Sequence, residues 1–179
     1  MRYNVAQLLK DNTGASRRLA IAGSLNDLDD LNPGPVPVQG ELTLLRTENG
    51  VLAFGKAQVT VNGECRRCLS VVESEIRFQF EEEFIPSIDI ETGAQLAITD
   101  EESPELVIDE HHILDIGEVV RQYVVMEAPV AALCRADCKG LCPQCGMNLN
   151  LGPCGCTTEP VDPRLMVLKQ LLDADSQKA

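Results

Sequence analysis

Apolar and polar side chains alternate most regularly between residues 72 and 81. Val72, Ile76, Phe78 and Phe80 take turns there with Glu73, Glu75, Arg77, Gln79 and Glu81, the period of a strand with one buried face. Before it, Val51, Ala53, Ala57, Val59 and Val61 alternate with Lys56, Gln58, Thr60 and Asn62. Val38, Leu42 and Leu44 share one face of a still earlier strand. Glu48-Asn49-Gly50 predicts the turn between these two, of type I′, because Asn-Gly tolerates the positive φ that type requires. Residues 17–22 read as a first strand, 106–108 as a short late one, and 27–37 as a loop rich in Asp, Asn, Pro and Gly. Adjacent strands with one polar face predict an antiparallel β meander or partly closed barrel.

Helical spacing appears three times. Val5-Ala6-Gln7-Leu8-Leu9 predicts a short helix ending before Asn12-Thr13-Gly14. Ile116, Val119, Val120, Tyr123 and Val124 fall at i, i+3, i+4, i+7 and i+8, with Asp115 as the expected cap, Glu118 three residues later and Pro129 as the limit. This helix is expected to cover the sheet. Asp162-Pro163 starts a closing helix with an apolar stripe at Leu165, Leu168, Leu171 and Leu172. The expected fold is therefore α+β. Residues 1–130 form a β-rich main domain with an acidic connector at about 81–118. Residues 131–179 form a small cysteine-rich zinc module and the closing helix.

The 179 residues carry a net charge of −13. That balance opposes non-specific nucleic-acid binding and favours basic protein partners. The acid is localised: 13 Asp and Glu and no Lys or Arg fall between residues 77 and 121. This stretch reads either as a solvated loop or as an acidic docking surface. The thin basic points are Arg17, Arg18, Arg66, Arg67, Arg135 and Lys139. No apolar run approaches the roughly 20 residues that span a bilayer, and the first residues show no apolar signal-peptide core. The chain is expected in the cytoplasm, without membrane or small-molecule partners, and there clustered thiols serve as metal ligands more often than as disulfides.

Six of the eight cysteines lie in one stretch: Cys134, Cys138, Cys142, Cys145, Cys154 and Cys156. Cys65 and Cys68 form a separate C-x2-C between two predicted strands. Cys142-Pro143-Gln144-Cys145-Gly146 is a turn that converges two thiolates on one ion. Two groupings are open. In one, Cys142, Cys145, Cys154 and Cys156 make one site, and Cys65, Cys68, Cys134 and Cys138 a second that joins sheet and tail. In the other, Cys138, Cys142, Cys145 and either Cys154 or Cys156 make a single site, since the one-residue gap between Cys154 and Cys156 is tight for two ligands of one ion. Either way four thiolates saturate Zn2+, which makes it structural. No phosphate-loop, nucleophile-elbow or H-E-x-x-H motif is present. His111 and His112, the two histidines, read as loop residues. The competing class is a thiol redox protein using Cys65 and Cys68, which would call for a βαβ setting that a meander lacks.

Residues 138–150, C-K-G-L-C-P-Q-C-G-M-N-L-N, resemble the signature of the YceD family, described as large ribosomal RNA subunit accumulation proteins. Val5 to Lys10 with Gly14, Cys65-Arg66-Arg67-Cys68-Leu69, and Asp162-Pro163-Arg164-Leu165 with Leu168 resemble further family motifs in the same order. Cys134 is less typical of that pattern. The resemblance implies a non-enzymatic role in large-subunit biogenesis and 23S rRNA accumulation, with no catalytic residue. The implied partners are a basic ribosomal protein or precursor 23S rRNA, with Arg66 and Arg67 as candidate contacts.

Overall fold

The computed structural model describes residues 1–96 and 103–156, which form a mostly β structure with few helices. Strand β1 (Arg2–Asn4) leads into the one-turn helix α1 (Ala6–Lys10). Four long strands follow, β2 (Ser16–Leu25), β3 (Val36–Arg46), β4 (Val51–Glu64) and β5 (Val71–Pro86). Then come a 3-10 turn (Pro104–Leu106), β6 (Val107–Ile108), β7 (Ile113–Asp115) and helix α2 (Gly117–Glu127). The five-stranded sheet has the order β2-β3-β4-β5-β6 and curls into a half-barrel. Its first four strands are antiparallel, and β6 runs parallel to the end of β5. β1 and β7 pair apart from it, with Tyr3 opposite Leu114.

The alternation places the core. Val38, Leu42 and Leu44 of β3, Val51 to Val61 at odd positions of β4 apart from Gly55, and Ile76, Phe78 and Phe80 of β5 are all buried hydrophobics. Their neighbours Gln39, Glu41, Lys56, Gln58, Arg77 and Gln79 are exposed. Each such Val, Ile or Phe contributes on the order of 1.5–3 kcal/mol by leaving water. Gly40 and Gly55 let the sheet curl. A methyl on Gly55 would sit 2.0 Å from the Phe80 ring, and one on Gly40 would sit 2.1 Å from the Lys56 carbonyl oxygen. Helix α2 adds buried Val119, Val120 and Val124 to this core. Its Tyr123 ring lies 5.8 Å from that of Phe80 and 6.1 Å from that of Phe78. The Tyr123 hydroxyl donates to Glu82 Oε1 at 3.0 Å.

Several local expectations need correction. Neither Asn49 nor Gly50 has positive φ, so the β3–β4 turn is not type I′. The Arg46 guanidinium closes it by donating to the Thr47 and Gly50 carbonyls, and Thr47 Oγ1 accepts the Gly50 N–H. Gly50 is needed for close approach instead: an added methyl would lie 2.0 Å from the Phe84 carbonyl oxygen. Helix α2 is capped by Ile116, which has no side-chain cap, while Asp115 Oδ1 still accepts the Gly117 N–H at 2.8 Å. The first long strand runs on to Leu25, well past residue 22. The acidic stretch 81–118 is far from a plain loop: it holds the end of β5, then β6, β7 and the start of α2. The closing helix expected from Asp162 lies outside the described residues. Among the described residues no helix is long and apolar enough to cross a membrane.

Candidate metal centre

Two C-x2-C turns share one backbone design. Between β4 and β5, the Leu69 N–H donates to the Cys65 carbonyl at 2.8 Å and the Cys65 N–H donates to the Ser70 carbonyl at 2.9 Å. In the tail, the Gly146 N–H donates to the Cys142 carbonyl at 2.9 Å and the Cys142 N–H donates to the Met147 carbonyl at 2.8 Å. The residue after the second cysteine is left-handed in both, with φ of 58° at Leu69 and 71° at Gly146. Glycine occupies that region freely, whereas a leucine there costs about 1–2 kcal/mol. The shared closure turns both thiols of each pair to one side.

Backbone bonds then lay the tail against the β4–β5 turn. The Arg66 N–H donates to the Ala132 carbonyl and the Leu141 N–H to the Arg67 carbonyl, both at 3.0 Å. Arg67 Nη1 donates to the Cys138 carbonyl, also at 3.0 Å. This brings Cys134 and Cys138 over Cys65 and Cys68. The four sulfurs lie within 4.8 Å of one another, with Cys65 Sγ 3.8 Å from Cys138 Sγ and Cys68 Sγ 3.6 Å from Cys134 Sγ. Cys65, Cys68 and Cys138 are buried in a small cluster with Val72, Leu133 and Leu141, while Cys134 is exposed. Cys142, Cys145, Cys154 and Cys156 form a second group of the same size, with only Cys142 buried.

Hydrogen-bond donors converge on these sulfurs. Backbone N–H groups, that of Cys134 foremost, pull the Cys65 thiol down to about 6. Those of Cys145 and Gln144 do the same for Cys142. The Ser70 hydroxyl, 3.4 Å from the Cys68 sulfur, lowers that thiol too. Asn150 Nδ2 donates to Cys138 Sγ at 3.2 Å. Each group also has a thiol held the other way. Although the residue is exposed, loss of water around its sulfur, which faces those of Cys138, Cys68 and Cys65, pushes Cys134 up to about 12, and its hydrogen bond to Cys145 pushes Cys156 up to about 12. Four close thiolates repel one another, so each tetrad ionises only partly unless a cation compensates it.

The geometry suits such a cation. Sulfurs 3.6–3.8 Å apart are well beyond the roughly 2.05 Å of a disulfide. They match the edge, about 3.8 Å, of a tetrahedron with metal–sulfur bonds of about 2.3 Å. Both tetrads could hold a metal ion. Of the two groupings drawn from the sequence, the sulfurs assemble in the two-site one, and Cys138 stands with the sheet cysteines rather than with Cys142 and Cys145. Gly155 adds no side chain between Cys154 and Cys156, so both reach one centre. Arg66 and Arg67 are exposed beside the first tetrad. Cys65 follows a strand and precedes another, with no helix start of the thioredoxin kind. Among the described residues neither histidine joins a group of possible ligands. Motif reading gives Ser70 no place, and it holds Asn148 and Asn150 only as members of the 138–150 signature, without a role. Asn148 Nδ2 donates to Ser70 Oγ at 3.2 Å, so these residues tie the two turns together. Their one sequence signal is position: each lies within a few residues of a C-x2-C.

Comparison with known proteins places these features in a family. The model of the family described as "Large ribosomal RNA subunit accumulation protein YceD" matches residues 54–172. An uncharacterized protein of Mycobacterium tuberculosis is 34% identical over 136 residues, covering 76% of this chain and 62% of that protein. An uncharacterized protein of Mycobacterium leprae is 28% identical over 139 residues, covering 78% and 61%. The chloroplastic large ribosomal RNA subunit accumulation protein YCED homolog 1 of Arabidopsis thaliana is 27% identical over 188 aligned positions, covering 93% and 59%. The chain thus spans about three fifths of the length of these relatives. No solved structure matches it. With a family match that takes in all eight cysteines and about two thirds of its length, this chain belongs to the YceD family.

Proposed function

We propose that this chain is a non-catalytic factor for the large ribosomal subunit, required in the cytoplasm for accumulation of 23S rRNA, and that each tetrad holds one structural Zn2+. The observation that carries the reading is the family match over residues 54–172, whose description names large-subunit rRNA accumulation. The tetrads support a structural use of the metal. Four thiolates fill a tetrahedral ion and leave no position for water or substrate. Soft sulfur donors favour zinc over magnesium or calcium. The partner is a component of the large subunit, either a basic ribosomal protein or precursor rRNA. No small-molecule substrate enters this reading.

The test is depletion in the source cell, followed by the ratio of 23S to 16S rRNA and the profile of ribosomal subunits on a gradient. A falling 23S share with free small subunits, restored by the wild-type chain, is the expected result. An unchanged ratio after complete depletion would overturn the reading. Zinc content of the purified chain tests the metal separately, with two ions per chain expected. The redox reading of Cys65 and Cys68 rests on the lowered Cys65 thiol. It requires rapid alkylation of that thiol in metal-loaded protein, and protection from alkylation would remove it.

A further inference from the structure

Charge is unevenly distributed over this fold. Residues 65–70 and 130–156 hold Arg66, Arg67, Arg135 and Lys139 against a single acid, Asp137. With thiols neutral that is a formal +3, which leaves −16 for the remainder of a chain at −13; two loaded tetrads at −2 each bring the same residues to −1, so the cations count by their place on the surface and not by net charge. All four cations are exposed. The structure also brings them to one place, since the Arg66 and Arg67 backbones bond to the tail on either side of Cys134 and Cys138. Asn150 Oδ1 accepts both Arg135 Nη2, at 2.7 Å, and the Lys139 N–H, at 2.8 Å, and so fixes these two beside the same tetrad.

The simplest alternative is that these cations only offset the tetrads, each formally −2 when holding a dication. Contacts argue against that for Arg66 and Lys139. Arg67 serves a ligand residue, through the Cys138 carbonyl. Arg135 is shared between Asn150 and Asp137, the latter 3.6 Å away. The side chains of Arg66 and Lys139 make no hydrogen bond or ion pair among the described residues. Leu69 and Val71, 57% and 61% exposed, adjoin Arg66 and Arg67 and add apolar surface beside the charge.

The geometry points to this face, over the first tetrad, as a binding surface for the phosphate backbone of RNA; the inference rests on the ribosomal reading above and names the partner that reading leaves open. Guanidinium forks suit phosphate oxygens, and exposed bases can lie on the apolar rim. The net −16 of the remaining residues disfavours a polyanion elsewhere, which favours this face for RNA. Four phosphate contacts on a single strand give a salt slope of about −2.8, or roughly a 50-fold loss of affinity between 50 and 200 mM salt.

The test uses the zinc-loaded full chain and fluorescence anisotropy with a labelled transcript of precursor 23S rRNA across a salt series. The variant is R66Q/K139Q, whose altered side chains make no hydrogen bond or ion pair among the described residues. It is expected to bind about tenfold more weakly, with the salt slope falling to about half, while keeping two zinc ions per chain. R67Q/R135Q is the second variant, expected to weaken binding similarly where it retains zinc. Failure of the wild-type chain to bind RNA, or R66Q/K139Q binding with unchanged affinity and slope, would overturn the inference. A pull-down of the tagged chain from source cells that yields a large-subunit ribosomal protein surviving nuclease treatment, and no RNA without it, would overturn it as well. None of these results alters the depletion test, in which an unchanged 23S share would instead remove the ribosomal reading itself.

Discussion

Removing the tail's half of the first tetrad, with C134S/C138S, should destabilise the whole fold, while C154S/C156S should not. The reason lies in which parts of the chain each tetrad joins. Cys68 and Cys134 are 66 residues apart and Cys65 and Cys138 are 73 apart, so a metal in the first tetrad cross-links the chain across β5 and α2. Treated like any covalent cross-link, closing a loop of about 66 residues removes unfolded-state entropy worth about 4 kcal/mol. That is a large share of the roughly 5–15 kcal/mol by which small proteins are stable. The second tetrad closes a path of 14 residues, Cys142 to Cys156; by the same relation that is worth about 3 kcal/mol, but to a tail segment that adds little to the main core. Its loss should shift global stability by no more than about 1 kcal/mol. The assay is urea unfolding of zinc-loaded proteins followed by far-ultraviolet circular dichroism, with zinc counted in each variant. Equal midpoints for the two double variants would refute the cross-link argument. So would a C134S/C138S midpoint matching that of wild type.

Four further outcomes follow from particular contacts. A strong chelator should melt residues 134–156 and leave the sheet folded, so amide spectra of that segment should collapse while those of β3–β5 persist; an unchanged tail would contradict this. Acid should expel the metal. Protons compete with the ion for the same sulfurs; in the metal-free chain Cys65 and Cys142 are held down to about 6, so their thiolates favour the folded state above the ordinary thiol range, and that contribution is lost as pH falls through 6. Full zinc retention at pH 5 would refute it. Gly55→Ala should cost about 1–3 kcal/mol in the same unfolding assay, because the new methyl displaces the Phe80 ring from beside Tyr123; a neutral result would mean the ring has room to move. Leu69→Gly should stabilise the chain by up to about 1 kcal/mol, since the side chain is 57% exposed and its backbone is left-handed, and a loss of stability would show that Leu69 packs usefully.

The faces of β3, β4 and β5 were legible because burial in a sheet repeats every second residue. Val59, Val61, Phe78 and Phe80 needed no tertiary information to be placed inside. The short β1–β7 pair was not legible. Three residues carry too little periodicity, and Tyr3 meets Leu114 across more than a hundred positions. The Asn49-Gly50 turn departs from its expected type for a different reason. A glycine can serve conformation or clearance, and the sequence shows the glycine without the Phe84 carbonyl that requires it.

The cysteine spacings identified candidate ligands but left their grouping open, and the physical cause of that limit is instructive. Within a turn, sequence distance sets spatial distance, so each C-x2-C was visible as a pair. Between turns it does not. Cys138 is four residues from Cys142, yet it stands with Cys65, because the Arg66, Arg67 and Leu141 backbone bonds lay the tail beside the β4–β5 turn. Those bonds are made by peptide groups, which every residue possesses, and so leave no mark in side-chain identity. The equivalence of the two turns was hidden for a related reason. Gly146 advertises its left-handed backbone, whereas Leu69 adopts the same conformation without any residue-type signal. The closures at Cys65 and Cys142, alike to within about 0.1 Å in both hydrogen bonds, show that the turn geometry is set by the demands of two converging thiols and not by glycine alone. On this view the first tetrad joins two parts of the chain that meet nowhere else in sequence. A metal held there would be a joint between the sheet's β4–β5 turn, which carries Arg66 and Arg67, and the tail, which carries Arg135 and Lys139.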